Sequence, residues 1–134
     1  MKQISVLIEN EKGKLAAVST LLAKRKINLQ ALSIADTTDY GILRVVTDRT
    51  DDALEALTEA GFLAKVTDVL AVKIKDEPGS LAKIISALAA SDISVEYTYA
   101  FTSTEPGIAV MAFRVDDNKK AVDALAKAGI GVTL

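Results

Sequence analysis

The sequence predicts an α+β fold built from two consecutive βαββαβ modules, each an antiparallel sheet with its helices on one face. Two observations support this prediction. The chain matches itself after a shift of 66 residues, which places Ile4 on Leu70, and each copy shows strand-like and helix-like apolar patterns in the same order. Half of the 134 residues are hydrophobic but only 4% are aromatic, so we expect aliphatic cores.

The internal repeat starts near the N-terminus, where ISVLIENEKGKLA from Ile4 aligns with LAVKIKDEPGSLA from Leu70. Without a gap, residues 4–42 give 12 identities over 39 positions, and a two-residue insertion in the second copy then restores the match. The matched pairs include Gly13/Gly79, Gly41/Gly107, Ile42/Ile108, Leu57/Leu125 and Gly61/Gly129. A register that includes the glycines predicts two equivalent domains, at residues 1–68 and 69–134.

Each copy begins with a strand of alternating apolar residues and continues through a polar glycine loop, at 9–13 or 75–79, into an amphipathic helix. Ser80 is expected to help cap the second of these helices, whereas Gly13 leaves the first without a side-chain cap. The other predicted strands are second strands at 27–35 and 93–101, third strands at 41–47 and 107–115, and last strands near 62–67 and 130–134. Between the third and last strands, a second helix is expected in each copy, opened by Asp51 or Asp52 and stopped by Gly61, and opened by Asp116 or Asp117 and stopped by Gly129. This order is the ferredoxin-like arrangement.

Composition excludes several classes of function. Residues 1–68 carry 9 basic and 10 acidic side chains and residues 69–134 carry 7 and 8, so neither half has the basic excess that nucleic-acid binding requires. There is no cysteine or histidine, no Walker or dinucleotide-binding glycine motif, and no apolar run long enough for a membrane span. We therefore expect a cytoplasmic binding protein without cofactor or metal, not an enzyme, with neither nucleic acid nor membrane as a partner.

The glycine loop of each copy has the features of a small-molecule site. A helix N-terminus offers unpaired amides to an anion, and glycine permits close approach to the backbone at Gly13 and Gly79. Asn10 and Asp76, three residues earlier, place an oxygen acceptor where an ammonium group would lie. These groups together suit an α-amino acid, although the turn could also serve chain reversal alone.

Two motifs extend this interpretation: N-x-x-G-x-L-A at Asn10–Ala16 and D-x-P-G-S-L-A at Asp76–Ala82, followed further along by I-N-L and I-S-V. With them the sequence resembles the ACT domain, twice over the whole chain, with Lys12 standing where the second copy has Pro78. The resemblance implies a regulatory protein that binds a free amino acid at the interface of paired ACT domains. Because helices cover only one face of each sheet, we expect a homodimer.

The resemblance and the turn chemistry give one set of predicted ligand-binding residues: Asn10, Lys12, Gly13, Lys14, Leu15, Asn28, Asp76, Pro78, Gly79, Ser80, Leu81, Ser94 and Tyr97. Tyr97 and Tyr99 share one face of their strand, where either ligand contact or packing against a partner domain explains them. The paired acids Asp51 and Asp52 are interpreted as helix initiators, not as metal ligands. Two alternative functions stay open: a regulatory subunit of an amino-acid biosynthetic enzyme such as acetolactate synthase, and a structural dimerisation module.

Overall fold

A computed structural model describes residues 1–36 and 38–133. The chain divides into two compact units, Lys2–Thr67 and Asp68–Leu134 together with Met1, which we call the first and second modules. The sequence-based boundary between residues 68 and 69 stays a prediction. In the described part of the chain, none of the helices has the length and apolar character that crossing a membrane requires.

Both modules contain the same series of elements. The first has β1 (Lys2–Glu9), α1 (Lys14–Lys24), β2 (Leu29–Asp36), β3 (Tyr40–Thr47), α2 (Thr50–Glu59) and β4 (Leu63–Asp68). The second has β5 (Leu70–Lys75), α3 (Ser80–Ala90), β6 (Val95–Ala100), β7 (Ile108–Val115), α4 (Asn118–Lys127) and β8 (Val132–Thr133). The strand orders are β2-β3-β1-β4 and β6-β7-β5-β8. The predicted pair of βαββαβ modules is confirmed.

Each module has its own aliphatic core between the sheet and the helices. In the first, alternate residues Ile4, Val6 and Ile8 of β1 are buried against Val18 and Leu22 of α1, as the period of two for a strand requires. In the second, Leu70 and Val72 of β5 are buried with Ile84 and Leu88 of α3 around the fully buried ring of Phe113. Apart from Phe113, the buried residues of both cores are aliphatic, as the low aromatic content of the chain predicts.

The strand pairing corrects the gap-free alignment at its end. Ile8 pairs with Gly41 in the first module, whereas the equivalent Ile74 pairs with Ala109 in the second. The two extra residues of the second copy therefore lie in the loop before the third strand. Gly41 corresponds to Ala109 and not to Gly107, and the match of Ile42 with Ile108 is likewise wrong. Hairpin loops tolerate such insertions because no ladder hydrogen bond depends on their length.

The observed starts of α3 and α2 differ from the predicted ones. Ser80 is the first residue of α3, and Gly79, which precedes it, holds the cap position without any side-chain hydrogen bond, so Ser80 is not the cap. The second helix, α2, begins at Thr50 after Arg49, and Asp51 and Asp52 lie inside its first turn. Asp117 does cap α4, since its side chain accepts from the amide of Lys120.

The second strands start two residues later than predicted, at Leu29 and Val95, because the preceding residues close the helix. The amide of Ile27 donates to the carbonyl of Leu22 (3.0 Å), and the amide of Ile93 donates to the carbonyl of Leu88 (3.0 Å). Lys26 and Asp92, just before them, have positive φ angles of 56° and 55°. This is a left-handed helix end built without glycine.

Candidate functional site

The two glycine turns have the same backbone geometry. Gly13 and Gly79 precede α1 and α3 with left-handed φ angles of 86° and 91°. Residues other than glycine pay a steric cost in this region, so the turn explains the duplicated glycine. A Cβ at either position would meet no atom within 4 Å, and the space beside the turn is therefore open.

Each turn uses one of its helix amides and leaves others exposed. The amide of Lys14 donates to the carbonyl of Glu11 (3.4 Å), and that of Ser80 to the carbonyl of Glu77 (3.2 Å). Intrahelical bonding starts with Ala17 donating to Gly13 (2.9 Å) and its counterpart Lys83 donating to Gly79 (3.1 Å). Within the described residues, the amides at positions 15, 16, 81 and 82 have no hydrogen-bond acceptor. Each turn thus offers two donors to an anion.

Each turn begins with a polar residue, Asn10 or Asp76, whose backbone amide is hydrogen-bonded and whose side chain is exposed. The amide of Asn10 donates to the carbonyl of Asp39, and that of Asp76 to the carbonyl of Gly107, both at 2.9 Å. Asn10 Nδ2 also donates to the carbonyl of Thr38 (3.4 Å), so that its Oδ1 is the atom left to accept. Asp76 is exposed and carries a charge where Asn10 has none.

Other predicted residues of the turns are at the surface. Lys12 and Pro78 are exposed, and Leu15 and Leu81 keep 40% and 38% of their surface accessible on the first turn of each helix. Apolar side chains of this size beside unpaired amides provide a contact for the aliphatic part of a ligand.

Asn28, Ser94 and Tyr97 lie at the far end of their sheets from the turns of their own modules. The amide of Asn28 donates to Asp48 Oδ1 (2.9 Å), just beyond β3, whereas the turn follows Glu9, which pairs with Tyr40 at the start of β3. At ~3.4 Å per residue these ends are about 25 Å apart. In the second module, the amide of Ser94 donates to Asp116 Oδ1 (3.1 Å), just beyond β7, and Tyr97 pairs with Arg114 near the end of β7. No single module therefore brings its whole predicted set together.

An open cleft lies at the turn end of each sheet, and its position is equivalent in the two modules. The first cleft, about 420 Å³, is lined by residues 7–9 of β1, by Lys14 and Tyr40, and by the chain at 60–63. The second cleft, about 340 Å³, is lined by residues 73–75 of β5, by Glu77, Ser80, Lys83 and Ile84, and by the chain at 128–131. Of the predicted site residues, Lys14 and Ser80 line these clefts.

Sequence analysis missed the other cleft residues. Gly61 and Gly129 were interpreted only as helix ends, yet their left-handed turns form one wall of each cleft. The sequence signal that could have identified these two glycines is their duplication in the repeat. Glu9, which is not among the predicted site residues, forms an ion pair with Lys14 (3.6 Å) in the first cleft.

The described residues contain no group of three or more His, Cys, Asp or Glu side chains that could hold a metal ion. In the acidic pair of α2, Asp52 forms an ion pair with Arg49 (3.0 Å). This contact and the position of both acids in the first helical turn agree with a role in helix initiation.

Comparisons with known proteins point to one family. A family model described as an ACT domain pair matches residues 1–131. The solved structure of protein BT0572 from Bacteroides thetaiotaomicron is 35% identical, with a TM-score of 0.91 over 98% of this chain and 90% of that one. The ligand-free regulatory subunit of aspartate kinase from Thermus thermophilus, 21% identical, shares the fold with a TM-score of 0.69 over 95% and 91% of the two chains.

Sequence comparison also identifies curated relatives. The acetolactate synthase small subunit of Mycolicibacterium smegmatis is 30% identical over 87 residues, which are 63% of this chain and 50% of the relative. The chain spans about half the length of the curated relatives it matches.

Proposed function

This chain belongs to the ACT domain pair family, and from that membership we propose that it is a regulatory protein that binds a free amino acid at its glycine turns. The observation that carries the proposal is the duplicated turn, with two unpaired helix amides beside an exposed oxygen acceptor. The amides after Gly13 or Gly79 bind the ligand's carboxylate. The side-chain oxygen of Asn10 or Asp76 accepts from its ammonium group.

The rest of the site comes from a second copy of the chain. Asn28, Ser94 and Tyr97 lie about 20–25 Å from the turn of their own module at ~3.4 Å per residue, so another module must supply the equivalent groups if they contact the same ligand, and we propose that it belongs to a second copy. A homodimer meets this requirement. Ligand binding then changes the association of two copies, or of the protein with a partner, because it bridges surfaces from both.

The direct experiment is a thermal-shift screen of the protein against the twenty amino acids at millimolar concentration. A ligand that binds only the folded state must raise the melting temperature. We expect one chemical class of amino acid to do so. If none of the twenty changes the melting temperature, the proposal fails.

Substitution of Asp76 tests the site by titration calorimetry. D76A removes a carboxylate that accepts from the ligand's ammonium group, and we expect affinity at the second turn to fall about 10- to 100-fold, which is the usual weight of one charged hydrogen bond. D123N, an exposed acid on α4, is the matched control and should leave affinity unchanged. Equal loss in both variants would show a general charge effect in place of a contact.

A second candidate function is that of a regulatory subunit of an amino-acid biosynthetic enzyme such as acetolactate synthase. Three curated relatives, 30–37% identical, are acetolactate synthase small subunits, and this observation favours it. Co-purification of the tagged chain with a synthase catalytic subunit from the same cells, and a change in that enzyme's activity, would support it. Absence of a complex, together with amino-acid binding, would favour the stand-alone regulator.

A further inference from the structure

We propose that the second cleft is a binding site for a small anion of two or more negative charges, carried on carboxylate or phosphoryl oxygens, and that the first cleft is not. The proposal does not depend on amino-acid binding at the glycine turns. It rests on the charges that line two clefts of equivalent position and different composition.

The differences between the clefts are concentrated in their charged residues. Three positions of the first module become lysines in the second: Leu7 corresponds to Lys73, Glu9 to Lys75, and Ala17 to Lys83. The first cleft holds one Lys and one Glu, which form an ion pair with each other. The second holds three Lys and one Glu, Glu77, so its formal charge is three minus one, or +2.

Two of the three lysines are available to a ligand. Lys73 lies 3.5 Å from Glu105, but both side chains are more than half exposed, and such a surface pair exchanges readily with another anion. Lys75 and Lys83 are exposed and form no ion pair with any described residue. An ammonium group is a compact charge with three donors, which suits carboxylate and phosphate oxygens alike.

The other surfaces of the second cleft leave room for such a ligand. Gly129 and Gly131 form part of its wall, and a Cβ at either would meet nothing within 4 Å. Ser80 adds a hydroxyl, while Ile74 and Ile84 provide an apolar floor. A volume of about 340 Å³ accommodates a small metabolite and not only a single ion.

The first test is an NMR titration of the ¹⁵N-labelled protein with inorganic phosphate, with sodium chloride at equal ionic strength as the control. We expect saturating shifts at residues 73–75, 80, 83 and 129–131, and no saturating shifts at the equivalent residues of the first cleft. Shifts that do not saturate, or that chloride reproduces, would overturn the proposal, because they would reflect screening of surface charge.

Charge reversal sharpens the test. K75E gives the second cleft the residue found at the equivalent position of the first, and we expect the dissociation constant for phosphate to rise about ten-fold for each negative charge that the anion carries, as reversal of one lysine charge at ~6 Å in water predicts before salt screening. K119E, on the exposed surface of α4, changes net charge equally and should have a much smaller effect. Equal effects of the two variants would contradict a localised site.

The reciprocal change, E9K, removes the carboxylate that pairs with Lys14 and should create phosphate-dependent shifts in the first cleft.

A parallel titration with malonate distinguishes the two ligand sources. Tighter binding of malonate assigns the site to a dicarboxylate, and tighter binding of phosphate assigns it to a phosphorylated compound. Failure of both anions to bind would overturn the proposal and leave the amino-acid screen unaffected.

Discussion

The chain leaves α1 and α3 with the same backbone geometry, and the side chains that support this geometry are in part the same and in part different in the two modules. Asp48 accepts from the amide of Asn28 (2.9 Å), and Asp116 accepts from the amide of Ser94 (3.1 Å), so the bond uses only the backbone of residues 28 and 94. The aspartates are the same in both copies, and the residues whose side chains take no part differ. At these helix ends, identity between the copies therefore reports on the fold, whereas the side chains of residues 28 and 94, which take no part in the bond, are free to differ.

The support of the left-handed helix end also differs. In the first module, the guanidinium of Arg49 donates to the carbonyls of Arg25 (2.5 Å) and Lys26 (3.1 Å). In the second, Lys120 donates from its ammonium group to the carbonyl of Asp92 (3.4 Å). A planar guanidinium can satisfy two carbonyls at once, and an ammonium on a flexible chain holds one at longer range.

The largest expected difference between the modules lies in their cores. Phe113 and Val45 occupy equivalent positions, paired with Leu70 and Ile4. F113A should destabilise the second module by about 3–5 kcal/mol, because it empties the space of a fully buried ring. V45A removes two methyl groups and should cost the first module about 2 kcal/mol.

Amide hydrogen exchange, read separately for β1 and β5, measures this difference because it reports local stability strand by strand. F113A should accelerate exchange mainly in β5, and V45A mainly in β1. Equal acceleration in both strands by either variant would show that the modules unfold as one unit, which would contradict separate stabilities of the two cores.

A smaller difference in stability is expected at the C-terminal ends of α1 and α3. R49A removes two donors to carbonyls at the end of α1 and the ion pair with Asp52, and should cost about 1–2 kcal/mol, a value reduced by the exposure of these groups. K120A should cost about 0.5 kcal/mol, since it removes one long contact. Urea unfolding of the two variants gives the ranking, and a reversed ranking would contradict the distinction between guanidinium and ammonium.

The smallest expected effect comes from replacing a buried residue of one module with its counterpart in the other module. Thr47 is 6% exposed and its hydroxyl has no partner in the described part of the chain, whereas the equivalent residue of the second module is the fully buried Val115. T47V should stabilise the first module by about 1 kcal/mol, because it removes an unsatisfied polar group without changing the shape. V115T is the matched reversal, and thermal unfolding should show a loss of similar size. Stabilisation by both variants would rule out this explanation.

The fold could be predicted from the sequence because the repeat supplied every element twice. Alternation in β1 and β5, the glycine turns and the helix stops at Gly61 and Gly129 each occur in both copies. The position of the insertion could not be predicted, since hairpin loops of different length connect the same strands and leave no apolar signal. The start of α3 was missed because backbone geometry at Gly79, and not a side-chain cap, opens this helix.

The candidate site was less accessible to sequence analysis. The turn residues follow one another along the chain, so their proximity could be predicted directly. The clefts combine positions about fifty residues apart, such as Lys75 and Gly129, which only the sheet topology brings together. Asn28 and Ser94 are predicted as ligand-binding residues only through the family resemblance, and within each module they lie at the opposite end of the sheet from the turn.

The open space beside Gly13 and Gly79 has a consequence for how these turns evolve. Since a methyl group would fit there, chirality and not volume reserves both positions for glycine. Glycine is the single achiral residue that the genetic code offers, so selection for stability would still favour both glycines in a descendant that had lost its ligand. In related chains the neighbouring positions, Asn10 and Asp76 above all, are therefore where loss or change of ligand would leave its trace.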